Sequence, residues 1–289
     1  MTFVIQLMSG LAVGCIYGLV AIGFSMIFRA MGLVNFAQAD IMMIGAFMGY
    51  AILVAAPGIP FWLAILGAMM GAALLGLVIE RVAIRPSVAR RADQVYLVLL
   101  TLGVGIVLSN GARLIWGADP VVYPTALTHQ TLVFAGYPLP AVYLYIAVVM
   151  PALLVGLHLF FTRTWLGLAL RAAADDPDTA ATMGVRPALA TSLSFALASA
   201  IGAAAGVLYA PISYVSFDMG VVGVKAFAAA VVGTLGSIPG AVLGGFIIGL
   251  GETFGAQLIA TEYQDSIAFA IMIAILLLKP KGLLAGSHR

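Results

Sequence analysis

Polar residues are so sparse along this chain that the lengths of the apolar runs between them carry the first signal. Six runs stand out: Phe3–Phe28, Ala37–Ala56, Phe61–Glu80, Val95–Trp116, Ala141–Phe161 and Thr191–Ser213. Each is close to the roughly 20 residues that a helix needs to cross a bilayer. A glycine-rich tract, Val221–Phe254, follows, and Ser266–Leu278 is the last apolar run. The tract is interrupted at Gly233–Gly240, "GTLGSIPG", where Pro and Gly break a helix. The piece before the break, Val224–Val232, is too short to cross.

Composition fixes the solvent. The 289 residues are 63% hydrophobic and 8% charged, where a soluble domain carries about 25% charged residues. In lipid the backbone must satisfy itself, as helices or as a closed barrel. Continuous runs rich in Gly, Ala, Leu and Ile, rather than strands of alternating polarity, exclude the barrel. The expected fold is all-α: a polytopic bundle of about seven full spans plus a broken or re-entrant glycine-rich element. Residues 1–289 are expected to form one transmembrane domain, and "MTFVIQLMSG" reads as a retained first span because it lacks a basic leader. Cys15 stands alone, and His129, His158 and His288 are scattered, so no metal-ligand pattern is present. A net charge of +2 gives no reason to expect nucleic acid.

Orientation follows from where the cations collect, since Lys and Arg favour cytoplasmic loops. Eleven of the 13 lie in four places: Arg29; Arg81, Arg85, Arg90 and Arg91; Arg163, Arg171 and Arg186; Lys279, Lys281 and Arg289. Placing these loops inside puts the N-terminus outside and the C-terminus inside. Six spans precede the tract, so the tract contributes no net crossing or two. A half-helix that enters, turns and leaves as a full helix meets the charge rule. Irregular backbone at that depth is tolerated where it is buried in protein or lines a water-filled cavity.

One cytoplasmic loop, at about 162–190, holds a charged island, "RAAADDPDTAATMGVRP", Arg171–Pro187. Asp176 is a good N-cap, Pro177 suits the first helical position, and Asp178 favours the positive end of the dipole. Gly184 is a natural stop. The implied helix has about two turns and a length of roughly 10 Å. It is marginal in water by itself, so it is expected to persist only when docked. An ordinary connector lying on the membrane surface would have the same spacing.

Polar groups at membrane depth are costly and face a bundle interior or a cavity. Asn35, Gln38 and Asp40 cluster where the second span starts. Asn35 is expected to cap that helix, whereas Asp40 sits a turn into an apolar run and needs a partner or water. Tyr17 and Ser25 are path candidates, although Ser25 can equally bond its own backbone. In the fourth span, Thr101 and Ser109 are expected to glue helices and Asn110 to line a pore. Glu252 is the other intramembrane acid that stands out. It approaches the outer surface with Glu262 and Asp265 in the following loop, and an interfacial role fits all three at least as well. Gly10, Gly14 and Gly18, like Gly240, Gly244, Gly245 and Gly249, suggest close helix packing. Gly236, Ser237 and Gly240 complete the set of path candidates, because the break exposes a helix N-terminus suited to a carboxylate.

Three stretches carry a resemblance to a known family. Asp178-Thr179-Ala180-x-x-x-Gly184 resembles the Glu-Ala-Ala-x-x-x-Gly loop of ATP-binding-cassette importer permeases, with Asp for Glu and Thr for the first Ala. "GLVNFAQADIMMIGAFMGY" (Gly32–Tyr50) and "GTLGSIPGAVLGGFIIGLGE" (Gly233–Glu252) are similar to segments of branched-chain amino acid permeases of the LivH type. With the opening "GLAVGCIYGLVAIGFSMIF", they extend the resemblance along nearly the whole chain.

The resemblance implies a permease subunit of the bacterial cytoplasmic (inner) membrane, paired with a second homologous permease. It also implies two cytoplasmic ATPase subunits holding ATP and magnesium, and a periplasmic or extracytoplasmic substrate-binding protein. The island would then couple to an ATPase through Asp176, Pro177, Asp178, Thr179, Ala180, Ala181, Met183 and Gly184. The implied cargo is a branched-chain amino acid, with urea, amides and aromatic acids as alternatives within the family. The chain itself has no G-x-x-x-x-G-K-[ST] phosphate loop, so ATP hydrolysis falls to partners and no cofactor is expected here.

A stand-alone secondary transporter or channel is the competing reading. It predicts an ion or proton site, and the sequence shows no stacked acids and bases through its spans. An intramembrane hydrolase using Ser237 and His158 is a weaker third, since no G-x-S-x-G elbow occurs.

Overall fold

The computed structural model describes residues 2–125, 130–134, 137–258 and 260–284; His129, His288 and Arg289 fall outside them. Among those residues seven helices are long and apolar enough to cross a membrane. Helices α1 (Thr2–Met31), α2 (Ala37–Ala55), α3 (Phe61–Ile79), α5 (Gln94–Trp116), α6 (Ala141–Arg163) and α9 (Pro187–Tyr209) correspond to the six expected runs. The seventh is α11 (Ile238–Leu258), inside the glycine-rich tract. The last helix, α12 (Gln264–Leu278), has 15 residues, about 22 Å, and α10 (Gly220–Gly233) has 14, about 21 Å; both fall short of a hydrocarbon core of about 30 Å.

Small residues set which helices meet. Along α1, a Cβ added at Gly14 would lie 3.0 Å from the Gly245 carbonyl oxygen, and one at Gly249 would lie 2.4 Å from Gly14 Cα. Gly245 and Gly249 therefore press α11 directly onto the α1 backbone, the small-residue packing that membranes favour. Helix α9 is clasped in the same way: Gly45 of α2 abuts Ala203, Gly206 abuts Met42, and Gly76 of α3 abuts Phe195 and Ser199. The core lies where α1, α2, α9, α10 and α11 meet, with Ile16, Phe24, Met42, Phe47 and Phe195 buried. Helices α5 and α6 sit at the periphery with long apolar faces exposed.

Two features differ from the expected pattern. The third span does not end at Glu80; it continues through a π-helical segment, Glu80–Ile84, into α4 (Arg85–Ala89). Pro86 has no N–H and its ring crowds the carbonyl a turn earlier, so the wider turn just before it is where the ladder shifts. The segment between α5 and α6 departs from the all-α expectation. It forms an antiparallel pair, β1 (Thr131–Phe134) with β2 (Tyr137–Pro140), and Val121 bridges to Val215.

Candidate functional site

The charged island folds as its residues dictate. Helix α8 (Pro177–Thr182) is capped by Asp176, whose carboxylate accepts from the backbone N–H groups of Asp178 and Thr179 and from the Thr179 hydroxyl. These bonds, the Thr179 hydroxyl foremost, hold the Asp176 carboxyl below its ordinary range. At the other end Gly184 takes φ +86. Its N–H bonds the Ala181 carbonyl at 3.1 Å, and that of Val185 bonds the Ala180 carbonyl at 3.0 Å. This is a Schellman stop.

So short a helix persists because it is docked, and what it docks on belongs to this chain. Ala180 is buried with Leu170 and Ala173 of α7 (Trp165–Asp175) and Ala190 of α9, forming a small core separate from that of the bundle. Asp178, Thr179, Ala181 and Met183 remain exposed, Met183 at 81%.

The break between α10 and α11 uses the same local devices in a crowded place. Gly236 takes φ +86, and Ser237 Oγ accepts from the Gly240 N–H at 3.2 Å. Gly233 and Gly240 are in backbone contact, since a Cβ on Gly240 would stand 2.3 Å from the Gly233 oxygen. Three of the path candidates, Ser25, Gly236 and Ser237, line a cavity of about 1240 Å³ between α1, α6, α7, α9 and the start of α11. Ser25 is wholly buried and its hydroxyl has no partner, not even its own backbone.

The other candidates do not share that cavity. Asn35 Oδ1 accepts from the Ala37 N–H at 3.2 Å, one residue ahead of Phe36, which holds the N-cap position of α2. Gln38 reaches across to the Ala198 carbonyl at 2.8 Å, locking α2 to α9. Thr101 does glue, accepting from the Phe36 N–H, whereas Ser109 and Asn110 bond the Ile106 carbonyl of their own helix. Asn110 is exposed. Asp40 is half-buried beside Gly105 of α5 and Gly220 at the start of α10, with no ion pair among the described residues.

The geometry is that of a lipid-embedded bundle with a broken helix inside and a small docked helix outside. Residues 6–276 match the family model described as branched-chain amino acid transport system / permease component. The chain is 34% identical over 298 residues to the high-affinity branched-chain amino acid transport system permease protein LivH of Salmonella typhimurium, covering 98% of this chain and 95% of that one. It is 34% identical over 294 residues to BraD of Pseudomonas aeruginosa (96% and 94%), whose name carries the same description. A probable LivH of Methanocaldococcus jannaschii is 29% identical over 280 residues (92% and 87%). This chain belongs to that permease family. It is a transport subunit, not an enzyme.

The permease also joins polar groups in ways that the sequence pattern did not reveal. Glu252 is fully buried, accepting from Tyr17 Oη at 2.8 Å and from Lys225 Nζ at 2.6 Å. Lys225 pairs also with Asp265 at the start of α12. The bundle therefore does hold an acid–base cluster, with Glu252 on the spanning α11 and its cation on the shorter α10, and it ties α1, α10, α11 and α12 together. A lone lysine inside an apolar tract was the available signal. Its partner could not be read off, because the break places Lys225 and Glu252 on different helices. A second brace joins the π-helical segment to α9: Glu80 is buried, Arg85 grips it with two nitrogens at 3.0 and 3.2 Å, and Ser192 Oγ lies 2.9 Å from Glu80.

Proposed function

We propose that this permease is the membrane subunit through which an ATP-driven importer passes branched-chain amino acids into a bacterial cytoplasm. The observation that carries the reading is the match along nearly the whole chain to permeases named for that cargo. In this reading the chain lies in the cytoplasmic (inner) membrane with its N-terminus outside and its C-terminus inside. It pairs with a second, homologous permease and receives substrate from an extracytoplasmic binding protein. Two ATPase subunits with ATP and magnesium work below, and residues 1–289 act as one transmembrane domain.

The tract 220–258 is then a re-entrant element. Helix α10 covers part of the membrane depth and α11 returns across it, which the 14-residue length of α10 supports. Helix α8 is the coupling helix, presenting Asp178, Thr179, Ala181 and Met183 to an ATPase cleft, while Asp176, Pro177, Ala180 and Gly184 hold its shape. Asp40 and Asn110 are the favoured path groups. Asp40 is unpaired between α5 and the N-terminus of α10, and Asn110 lies on the exposed face of α5. Tyr17, Asn35 and Gln38, already bonded inside the bundle, shape the wall behind it.

Two measurements test the reading. A gentle-detergent pull-down from native membranes should bring along a phosphate-loop ATPase and a non-identical permease. In the reconstituted complex, Gly184→Trp should leave ATP hydrolysis intact while labelled leucine uptake falls at least about tenfold, since a docking surface is lost rather than a path. Purification with neither partner, or coupled uptake by the variant, would sink the proposal.

A further inference from the structure

The cavity of about 1240 Å³ beside the break has a lining that the transport reading leaves unexplained. Arg29, Arg171 and Lys281 all border it, and no Asp or Glu is among its lining residues. Arg29 is held by Asp175 at 3.0 Å outside the lining. Arg171 and Lys281 have no ion-pair partner among the described residues, and Arg171 Nε is buried without a hydrogen-bond acceptor. The buried Ser25 hydroxyl, also unpartnered, borders the same space. The N-terminus of the 21-residue α11 adds its positive end from the far wall.

Every polar group on this list offers a proton or a positive charge. Arg171 Nε and the Ser25 hydroxyl are buried donors without acceptors, which is costly. An acceptor with several oxygens satisfies both while meeting the charge of the more exposed Lys281. A zwitterionic amino acid fits poorly, because its ammonium would meet cations and no carboxylate. A phosphate group fits the donor set. The rest of the wall sets apolar Phe28, Leu154, Phe161 and Leu235 among the neutral polar side chains of His158, Thr162, Ser194, Thr234 and Ser237, with no carboxylate. It continues the apolar face of α6, where Leu159 and Val155 are exposed.

We propose that this cavity is a phosphate-binding site, with its apolar walls favouring the headgroup of an anionic phospholipid as the source. Basic pockets between helix ends near the membrane surface take such headgroups. Because Arg171 lies on α7 while Ser25 and Ser237 lie on α1 and at the start of α11, a bound phosphate bridges the small core that carries α8 to the main bundle. The transported solute has no part in this inference.

Native mass spectrometry of the purified full chain tests it, with phosphatidylglycerol, phosphatidylcholine and inorganic phosphate as the probes. Phosphatidylglycerol should be retained in preference to phosphatidylcholine. Arg171→Gln with Lys281→Gln should weaken its retention about 25-fold, roughly fivefold for each cationic group removed. Ser25→Ala removes an unsatisfied hydroxyl, so it should weaken retention less, without lowering the melting temperature, and it serves if the double variant fails to fold. If phosphate displaces the lipid and itself binds, the site stands with free phosphate as its source; if it does not, the source is the lipid. Equal retention of the two lipids, retention unchanged in folded variants, or displacement of phosphatidylglycerol by leucine would overturn the proposal.

Discussion

The turn after α8 and the turn after α10 are built alike and live in different surroundings. Each places a glycine at φ +86 shortly after a short helix: Gly184 two residues past α8, and Gly236 three residues past α10, whose own C-cap is Thr234. Each adjoins a helix that begins Pro-x or x-Pro. Around Gly184 nothing lies within 4 Å of an added Cβ, whereas at Gly240, four residues past Gly236, the Gly233 backbone would be 2.3 Å away. The same local chemistry thus makes a free outer surface in one place and a fused hairpin in the other. Near the outer turn the polar groups face outward and bond their own backbone. Toward the other end of the hairpin from the inner turn, Lys225, Glu252 and Tyr17 are sealed together.

That contrast predicts an ordered series of effects. The largest belongs to the sealed cluster. Lys225→Met strands a buried Glu252, and breaking a buried pair costs about 3–5 kcal/mol. Chemical unfolding in detergent should show that loss, with the double variant Lys225→Met, Glu252→Leu recovering part of it. A double variant as unstable as the single one would mean that the charges are not what couples these helices.

Next comes the hairpin contact. Gly240→Ala should cost about 1–3 kcal/mol by forcing α10 and α11 apart. Gly184→Ala meets no atom and suffers only its left-handed backbone, about 1–2 kcal/mol, which Gly184→Asn should largely relieve. Equal tolerance at 184 and 240 in thermal melts would erase the comparison.

The smallest effect is at the exposed cap. Asp176→Ala should speed amide exchange in α8 severalfold while leaving the melting temperature of the bundle unchanged. The Asp176 carboxyl is depressed, so its bonds stabilise α8 above the ordinary carboxylate range. They are lost only as pH falls through the lowered value. Protection of α8 that already fades at mildly acidic pH would contradict this.

Sequence reasoning placed α8 to the residue, because a cap, a proline and a stop glycine act within one turn and need no distant partner. It also located the break at 233–240, for the same reason, and the spans to within a few residues apart from the third, which runs on past Glu80 to Ala89. It singled out Glu252 without its partners and missed the Glu80–Arg85–Ser192 brace, since neither rests on local pattern. Glu80 and Ser192 are 112 residues apart, and the charge of Arg85 served equally well as a topology signal.

What the sequence determined by itself is therefore everything carried by short-range rules: an apolar chain that must fold as helices in lipid, where those helices break, and how the island is capped. The tertiary structure alone decided which helices the glycines would press together. It also decided that Lys225 would find Glu252 rather than solvent, and that Ser25, Arg171 and Lys281 would face one space. Those outcomes depend on side-chain reach across helices brought within a few ångströms, and no spacing along the chain encodes that distance.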